Sequence, residues 1–589
     1  MVFPKLEKSI RSKLILVIQI IFIMCWLAVL ADTDSYHSAY SLCGILSVLC
    51  LWDNYRNDRF LLKGHWVRIL LLSGFFSCVV ALANYAVYLQ VRDPFLISAS
   101  TNAMQNAMNL LCSLIGGTFV ANNLLTVLMA RLPLAASEKE PNHPGRVFWF
   151  TFLVIVAIDF VYLFLDEYPG HVITDAVDQI TQGYTGVYSN NHPFWHTLWM
   201  ELVLSAGYAI FRDPNTAVAV FSVQQVLFVA ACMAYAVMTL YQARMPKWIL
   251  GLAIAAYAVL PYNIVYSITL GKDIPFSMGC LVLVVALYRL LSSMDRKKWI
   301  SYLLLGLASV VLCLSRTNGV LVLLMTALAS LLYLLKRDKK VVLILAGVLI
   351  LCLILNGPVL TVLGIRETDF TEALSIPLQQ LARVVYEECP LTEEETALLS
   401  RIFDLEKIPS IYESWLSDPI KMELRKNDVE YFRENFEEYI QLWFRLGRKY
   451  PGEYVKAWVD QTRGYWNGGY EYHQYVEMME ENPFGMVKTS GNNIIAKLIY
   501  LYLGLSRHSV FFQPLLSIGL HVWILVVCFF LNLRKKRKEF ILAVPSLCII
   551  LGLLIGTPVF AEFRYSYAVF LTCPVLVPLT LYAGKEERI

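Results

Sequence analysis

One segment of the sequence, residues 166–197, is unusually dense in side chains that can exchange protons. It holds four carboxylates and three histidines. Carboxyl and imidazole groups are the usual general acids and bases of enzymes. The segment is therefore the first candidate for catalysis, and its acidic members are Asp166, Glu167, Asp175 and Asp178.

Asp175 and Asp178 are three residues apart. A helix beginning near Thr174, with Thr174 as its N-cap, would place both carboxylates on one face. A carboxylate held there can act as a general base. The alternative is that both acids only complement the dipole of a solvated first helical turn. The spacing leaves both interpretations open.

Two histidines follow at helical spacing. His192 precedes Pro193, and His196 lies one helical turn further along the chain. Two histidines four residues apart can bind a metal ion when other parts of the chain supply further ligands. Helix capping and packing at a membrane surface are the alternative roles.

A second group of charged and polar residues lies where long apolar runs begin or end. Ionisable groups near membrane depth are unfavourable and usually face a cavity or a partner. The three basic members can together hold a phosphate or pyrophosphate, although single basic side chains can also extend to lipid headgroups without any substrate. The group comprises Lys272, Asp273, Arg316, Asn318, Glu562, Arg564 and Tyr565.

The composition defines the kind of protein in which these residues lie. Of the 589 residues, 57% are hydrophobic and 16% are charged, and the mean hydropathy is +0.56. A soluble domain cannot cover so much apolar surface. The net charge of +3 is small, and the basic residues occur in short clusters between apolar runs, so nucleic-acid binding has no support. The sequence predicts an all-α polytopic membrane protein.

Apolar runs of about 20 residues predict about fourteen membrane-spanning helices. The first begins after a basic amino terminus that resembles a signal peptide but lacks a small-residue cleavage site, so we interpret it as an uncleaved helix. The predicted spans are 14–31, 36–52, 67–90, 105–131, 147–165, 215–241, 247–269, 274–292, 299–315, 319–335, 340–363, 510–533, 539–557 and 565–583.

The apolar run from Phe194 to Phe211 is the exception. Counting it as a span would place three later basic clusters, 244–247, 296–298 and 336–340, outside the cell, against the tendency of Lys and Arg to remain in cytoplasmic loops. We therefore predict that it lies along the outer membrane surface as an amphipathic helix. An ordinary span is the alternative. Both termini, including Lys585 and the basic cluster 534–538, are then cytoplasmic.

This topology predicts four parts of the chain. Residues 1–146 form a membrane extension of four helices, and residues 147–363 form a membrane core with a catalytic outer loop at 166–214. Residues 364–508 form an extracytoplasmic, mainly α-helical domain, and residues 509–589 return to the membrane. An aromatic stretch from Pro451 to His473 suits sugar stacking, although burial in a core is the commoner role of Trp and Tyr.

Several short motifs together resemble the GT-C superfamily of membrane glycosyltransferases, and more narrowly a group of bacterial multi-pass GT-C-like proteins. The similarity runs from about residue 147 to the end, and the first four spans lie outside it. The motifs are YPG at 168–170, TD at 174–175, SNNHPFWHT at 189–197, YSITLGKD at 266–273, SRTNG at 315–319 and EFRY at 562–565.

The resemblance implies transfer of a sugar from a polyprenyl-phosphate-linked donor to a cell-surface glycan or glycopolymer outside the cell membrane. Asp175 takes the position of the loop acid that serves as base, with Asp178, Asp166 and Glu167 as further candidates. The acid often adjacent to that base is replaced here by Ala176, so the use of a divalent cation, Mg or Mn, stays open. The implied substrate-binding residues are His192, His196, Lys272, Asp273, Arg316, Asn318, Glu562, Arg564 and Tyr565.

Two other functions fit the same sequence features. A transporter or flippase of lipid-linked glycans would also combine many spans with charged residues, but it predicts inverted repeats and polar groups at the membrane midplane. A ligase or polymerase of surface polysaccharide would share the donor chemistry without the fold. All three place the protein in the cell membrane with lipid as a partner.

Overall fold

The computed structural model of the protein describes most of the chain, and the structural statements below concern those residues. They are residues 3–31, 38–57, 59, 66–85, 103–132, 134–137, 140–292, 294, 298–469, 478–508, 512–534 and 537–583. Several predicted features lie outside them, namely Lys585, residues 296–297, 535–536 and 470–473, and residues 36–37, 86–90 and 510–511 at the ends of three predicted spans.

The described chain is almost entirely helical. The α-helices, in chain order, are α1 (Phe3–Ala31), α2 (Ser38–Arg56), α3 (Trp66–Ala83), α4 (Ala103–Arg131), α5 (Pro144–Leu165), α6 (Thr174–Thr185), α7 (Phe194–Phe211), α8 (Pro214–Gln242), α9 (Lys247–Val259), α10 (Pro261–Ser267), α11 (Asp273–Leu291), α12 (Trp299–Ser315), α13 (Gly319–Leu334), α14 (Lys339–Asn356), α15 (Pro358–Val362), α16 (Ser375–Tyr386), α17 (Glu393–Ile402), α18 (Ile408–Ile411), α19 (Asp418–Lys426), α20 (Val429–Glu434), α21 (Phe436–Lys449), α22 (Pro451–Thr462), α23 (Ile494–His508), α24 (Gln513–Leu516), α25 (Ile518–Arg534), α26 (Val544–Gly556) and α27 (Phe563–Leu581).

Short elements complete the description. Turns of 3-10 helix occupy Phe370–Leu374, Arg463–Tyr465 and Lys538–Ala543. Four two-residue strands are β1 (Leu134–Ala135), β2 (His171–Val172), β3 (Thr269–Leu270) and β4 (Tyr582–Ala583).

The helices agree with the predicted class, an α-helical multi-pass membrane protein. Within the described residues, eight helices are long and apolar enough to cross a membrane, and α9 with α10 adds a ninth if this pair, bent by 51°, is one span. Shorter apolar helices lie within α3, α12, α13, α23 and α25. The count of about fourteen spans stays a prediction.

Helix α7 has the bounds predicted from the sequence, Phe194–Phe211, and it is not among the described helices that are long and apolar enough to cross a membrane. Its two sides differ, because His196, Met200 and Leu204 are buried while Trp199 is half exposed. The exposed side is also apolar, since Leu202, Ile210 and Phe211 are exposed, so the helix lacks the polar face of the predicted amphipathic helix. Its place on the outer membrane surface stays a prediction.

The chain divides into two compact units. The first consists of Met1–Leu134, Trp466–Tyr472 and Arg507–Trp523. Its helices approach closely at Gly116 of α4, where an added Cβ would lie 2.3 Å from the carbonyl oxygen of Phe22 in α1. Small residues commonly permit such contacts between membrane helices.

The second unit consists of Ala135–Tyr465, His473–Ser506 and Ile524–Ile589. Within it, α16–α22 form a separate helical core from residues such as Leu399 and Leu442. In the aromatic stretch, Tyr454 and Tyr465 are buried, so these two rings contribute to packing and not to an exposed stacking surface.

Candidate functional site

A short parallel strand pair brings two distant helix starts together. Strand β2 pairs with β3, His171 opposite Thr269 and Val172 opposite Leu270. Because the strands are parallel, the chain leaves both strands at the same end of the pair. Helix α6 begins two residues after β2, and α11 begins three residues after β3, so the first turns of both helices become neighbours.

The chain reaches β2 through Gly170, a position that only glycine suits. Its φ of +123° is rarely adopted by residues with a side chain. An added Cβ would also lie 2.2 Å from the Ser222 hydroxyl oxygen and 2.9 Å from the Ile268 carbonyl oxygen. Close packing against α8 and against Ile268, the residue before β3, therefore fixes where α6 starts.

Asp175 lies in the first turn of α6 and faces two basic side chains. Its Oδ2 is 3.1 Å from Lys272 Nζ and 3.8 Å from Arg564 Nη1. Burial would raise the pKa of Asp175, but Lys272, Arg564 and His192 outweigh burial and hold it well below its usual value. The carboxylate is therefore ionised, and only 27% of the side chain is exposed. The helix N-cap is Ile173 and not the predicted Thr174.

Lys272 also contacts a histidine that reaches a second acid. Its Nζ is 2.7 Å from His192 Nδ1, and His192 Nε2 is 3.5 Å from Asp178 Oδ2. An ammonium group has only hydrogens to donate, so Nδ1 accepts and the imidazole proton is on Nε2. Asp178, 63% exposed, connects this chain of contacts to solvent.

Two arginines complete the positive side. Arg564 Nε is 3.2 Å from Glu562 Oε1, and Arg316 pairs with Asp273. Both guanidinium groups lie over one aromatic ring, since the Cζ atoms of Arg316 and Arg564 are 4.4 and 5.9 Å from the ring centre of Tyr565. Cation–π contact favours each position.

We call these nine residues the charged cluster. All belong to the second compact unit, and all were predicted as site residues from the sequence. Its members are Asp175, Asp178, His192, Lys272, Asp273, Arg316, Glu562, Arg564 and Tyr565.

His196 lies beside the charged cluster in an uncharged form. It is buried, and its Nδ1 is 3.0 Å from the Gln179 amide nitrogen. Burial, with a further contribution from Lys272, lowers the pKa of His196 to about 3. Gln179 also donates to Thr197 Oγ1 at 2.8 Å, so this amide joins α6 to α7.

An apolar cavity of about 350 Å³ lies next to His196. It is bounded by α7, α8, α11 and α12, and it reaches Pro275 and Ser315, close in sequence to Asp273 and Arg316 of the charged cluster. Its walls are mainly apolar. They are formed by Trp195, His196, Trp199, Phe221, Gln224, Gln225, Phe228, Pro275, Val310, Val311, Leu314 and Ser315.

Two predicted acids lie in a different environment. Glu167 Oε1 is 2.5 Å from Lys488 Nζ, and its Oε2 is 3.5 Å from His171. Asp166 Oδ1 is 3.9 Å from the same ammonium. These contacts attach the segment 478–493 to the start of the outer loop, which indicates a structural role for both acids.

The predicted binding residue Asn318 lies at the start of α13. It is the N-cap residue of α13 but makes no side-chain capping bond. Its Oδ1 is buried and has no hydrogen-bond partner among the described residues. It follows Arg316 of the charged cluster by two residues.

Sequence reasoning missed the residues that hold the Glu562 end of the site. The Tyr465 hydroxyl accepts from the Glu562 backbone N–H at 2.9 Å and lies 3.0 Å from the Val559 carbonyl oxygen. Gln461 donates to the Thr557 carbonyl at 2.8 Å. The motif EFRY contains Glu562, but nothing in the sequence around Tyr465 indicates that its hydroxyl bonds the Glu562 backbone.

A divalent cation does not suit Asp175 in this arrangement. Lys272 and Arg564 already face its Oδ2, and a metal ion bound there would meet two positive charges. Among the described residues, no group of three or more His, Cys, Asp and Glu is arranged to hold a metal. Both histidines of the predicted pair have other polar neighbours.

The fold and the site define a polytopic α-helical membrane protein with a cluster of paired charges beside an apolar cavity. Residues 181–589 match the model of a family of unknown function (DUF6020). This is more than half of the chain, which therefore belongs to that family. The match includes His192, Lys272, Arg316 and Arg564 and begins after Asp175. No curated protein and no solved structure matches the chain.

Proposed function

We propose that this protein is a membrane glycosyltransferase that moves a sugar from a polyprenyl-phosphate donor to an acceptor outside the cell. The observation that carries the proposal is the carboxylate of Asp175 facing Lys272 and Arg564 beside an apolar cavity. A lipid-linked phosphate needs basic groups for its head and an apolar space for its chain. Sugar transfer additionally needs a base next to the phosphate.

The basic side chains suit a phosphate group. Arg316 and Arg564 both lie over the ring of Tyr565, and Lys272 Nζ is 3.1 Å from Asp175 Oδ2. Guanidinium and ammonium groups form strong charge-assisted hydrogen bonds to phosphate oxygens. Each of the three cations already has a carboxylate partner, so an incoming phosphate would compete with those carboxylates.

This competition gives Asp175 a way to become a base. In the free protein its pKa is well below the usual value because Lys272 and Arg564 neutralise it, and such a carboxylate accepts protons poorly. A phosphate that draws both cations away would raise the pKa of Asp175. The base would then be active only when the donor is bound.

The chemical step is a single displacement with inversion. The acceptor hydroxyl oxygen forms a bond to the anomeric carbon while the bond from that carbon to the phosphate oxygen breaks. The electron pair leaves with the lipid phosphate, next to Lys272 and Arg564, and the hydroxyl proton passes to Asp175. Fixed positive charges where negative charge develops lower the barrier.

The distribution of charge supports an extracytoplasmic site. The charged cluster includes Asp273 at the start of α11, and two basic side chains lie at the other end of this helix: Arg289 is in its last turn, and Lys538 donates to the Leu291 carbonyl at 2.7 Å. Lys and Arg concentrate on the cytoplasmic side of membrane proteins. The charged cluster, at the opposite end, then faces outward.

The proposal is tested by analysing lipid extracts. The gene is deleted in the producing organism and restored as wild type, as Asp175→Asn, or as Glu393→Gln, an exposed acid of α17 used as the control. We expect the deletion and Asp175→Asn to accumulate a polyprenyl-phosphate sugar that wild type and Glu393→Gln consume. Accumulation in none of the strains would overturn the proposal, and a lipid-linked glycan retained on the inner leaflet would indicate a flippase.

A further inference from the structure

The contacts of Lys272 imply a role for two residues that take no direct part in the proposed reaction. A lysine ammonium on a flexible stem has three hydrogens and no preferred direction. Here one points to Asp175 at 3.1 Å and another to His192 Nδ1 at 2.7 Å. When a phosphate draws the ammonium away from Asp175, the contact with His192 remains and restricts the directions of the other two hydrogens.

We propose that Asp178 and His192 form a positioning pair that aims the Lys272 ammonium at the donor phosphate, and that protonation of His192 releases it. The proposal rests on the function proposed above. His192 can accept from Lys272 only while Nδ1 carries no proton. Asp178, 3.5 Å from Nε2, favours the tautomer with the proton on Nε2 and so keeps Nδ1 free to accept.

Acid should therefore weaken the site in a specific way. The charged and titratable groups that face His192 are Lys272 immediately before α11, Asp175 and Asp178 on α6, and His196 on α7. Burial and then Lys272 lower the pKa of His192, the two carboxylates oppose them, and the net direction is downward. The imidazole is thus neutral at physiological pH, and Lys272 is held. Below its pKa both ring nitrogens carry protons, and the imidazolium repels Lys272.

The experiment measures the Kd of radiolabelled undecaprenyl phosphate for the full-length protein in nanodiscs as a function of pH. Lys272→Ala should weaken binding about tenfold to a hundredfold at neutral pH, as expected for loss of a charged hydrogen bond. Wild type should bind progressively more weakly as the solution is acidified. The phosphate of the ligand itself gains a proton near pH 6, and this weakens binding in the same way for every variant.

Two variants isolate the positioning pair. In His192→Asn the amide oxygen can replace Nδ1 as acceptor but cannot be protonated, so binding should be a few-fold weaker than wild type and should lose the acid dependence beyond that of the ligand. Asp178→Asn removes a charge that raises the pKa of His192, so the acid loss should move to lower pH. His143→Asn, an exposed histidine before α5, should follow wild type.

The failures are distinguishable. If wild type does not bind undecaprenyl phosphate, or if Lys272→Ala binds equally well, the donor class of the proposed function is wrong. If wild type binds and Lys272→Ala does not, but His192→Asn keeps the acid dependence of wild type, only the positioning pair is wrong. Thermal unfolding of each variant shows whether weaker binding comes from the changed site or from misfolding of the protein.

Discussion

At the scale of single residues, the proposed reaction gives Asp175 two incompatible tasks. As a partner of Lys272 and Arg564 it neutralises two buried cations. As a base it must give them up. A carboxylate in this position lowers affinity for phosphate and, in return, leaves no unpaired cations in the free protein, where their burial would be unfavourable.

Asp175→Asn should separate these tasks. We expect transfer to fall by about two orders of magnitude or more, the usual contribution of a general base, while undecaprenyl phosphate binds several-fold more tightly because the competing carboxylate is gone. Transfer is measured from membranes with the lipid-linked sugar found to accumulate in the deletion strain, and binding is measured in nanodiscs.

Asp166→Asn and Glu167→Gln serve as comparisons for that substitution. Both acids face Lys488 and not the charged cluster, so we expect transfer to change by less than about fivefold. Loss of transfer in Glu167→Gln with full transfer in Asp175→Asn would reverse the assignment of the base.

Tyr565 offers a second test at this scale. Its ring lies under Arg316 at 4.4 Å, and the face of the ring, not the hydroxyl, makes that contact. Tyr565→Phe should therefore bind undecaprenyl phosphate nearly as wild type does, whereas Tyr565→Leu should weaken binding by roughly two- to thirtyfold, in line with about 0.5–2 kcal/mol for a cation–π contact. Equal losses in both variants would assign the effect to the hydroxyl.

At the scale of elements, the site depends on segments that contain none of its charges. The pairing of β2 with β3 sets α6 beside α11, and Tyr465 and Gln461 hold the chain that leads into α27. Segment 478–493 is attached to the outer loop through Lys488. Each contact joins residues far apart in sequence, so the geometry of the cluster is a property of the assembled unit.

Gly464 gives the sharpest test of this dependence. A Cβ there would lie 2.3 Å from the Ala561 Cβ, one residue before Glu562. We expect Gly464→Ala to shift the segment that contains Ala561 and Glu562 and to reduce transfer. The free energy of unfolding should fall by about 1–3 kcal/mol, as for other overpacked sites. The matched control is Gly452→Ala on α22, where an added Cβ meets nothing within 4 Å.

The two substitutions change the same atoms in neighbouring elements, so their difference isolates packing against Ala561. Thermal unfolding and transfer are measured for both proteins. Gly452→Ala should unfold at the wild-type temperature or slightly above it, because alanine is the better helix former. Equal behaviour of the two variants would show that Gly464 does not position the Glu562 end of the site.

At the scale of the whole molecule, the proposed function depends on the side of the membrane that the charged cluster faces. Helix ends that belong to alternating crossings meet at the cluster, namely the starts of α11 and α27 and the end of α12. Ends that meet in one site lie on one side of the membrane. The topology predicted from basic clusters makes that side extracytoplasmic.

Cysteine labelling tests this sidedness. Asp178→Cys lies in the cluster and Arg337→Cys lies after α13, and both positions are exposed. In intact cells, a membrane-impermeant maleimide should label Asp178→Cys and should label Arg337→Cys only after lysis. The unmodified protein, with its 13 cysteines, provides the background. The reverse pattern would place the charged cluster in the cytoplasm and exclude the proposed acceptor.

The sequence by itself predicted an α-helical multi-pass membrane protein, the bounds of α7 and the candidate residues that the structure brings together in the charged cluster. Long apolar runs indicate helices because a bilayer leaves backbone groups no other partner, and charges beside such runs stand out because burying them is unfavourable. Both signals are local and can be read from the chain alone.

Only the tertiary structure decided which acids share the site. Asp166 and Asp175 are alike in the sequence, yet one faces Lys488 and the other faces Lys272 and Arg564. Likewise, the tautomer of His192 follows from the ammonium beside it. Such partners come from remote segments joined by packing and strand pairing, and no local pattern encodes which remote side chain will arrive.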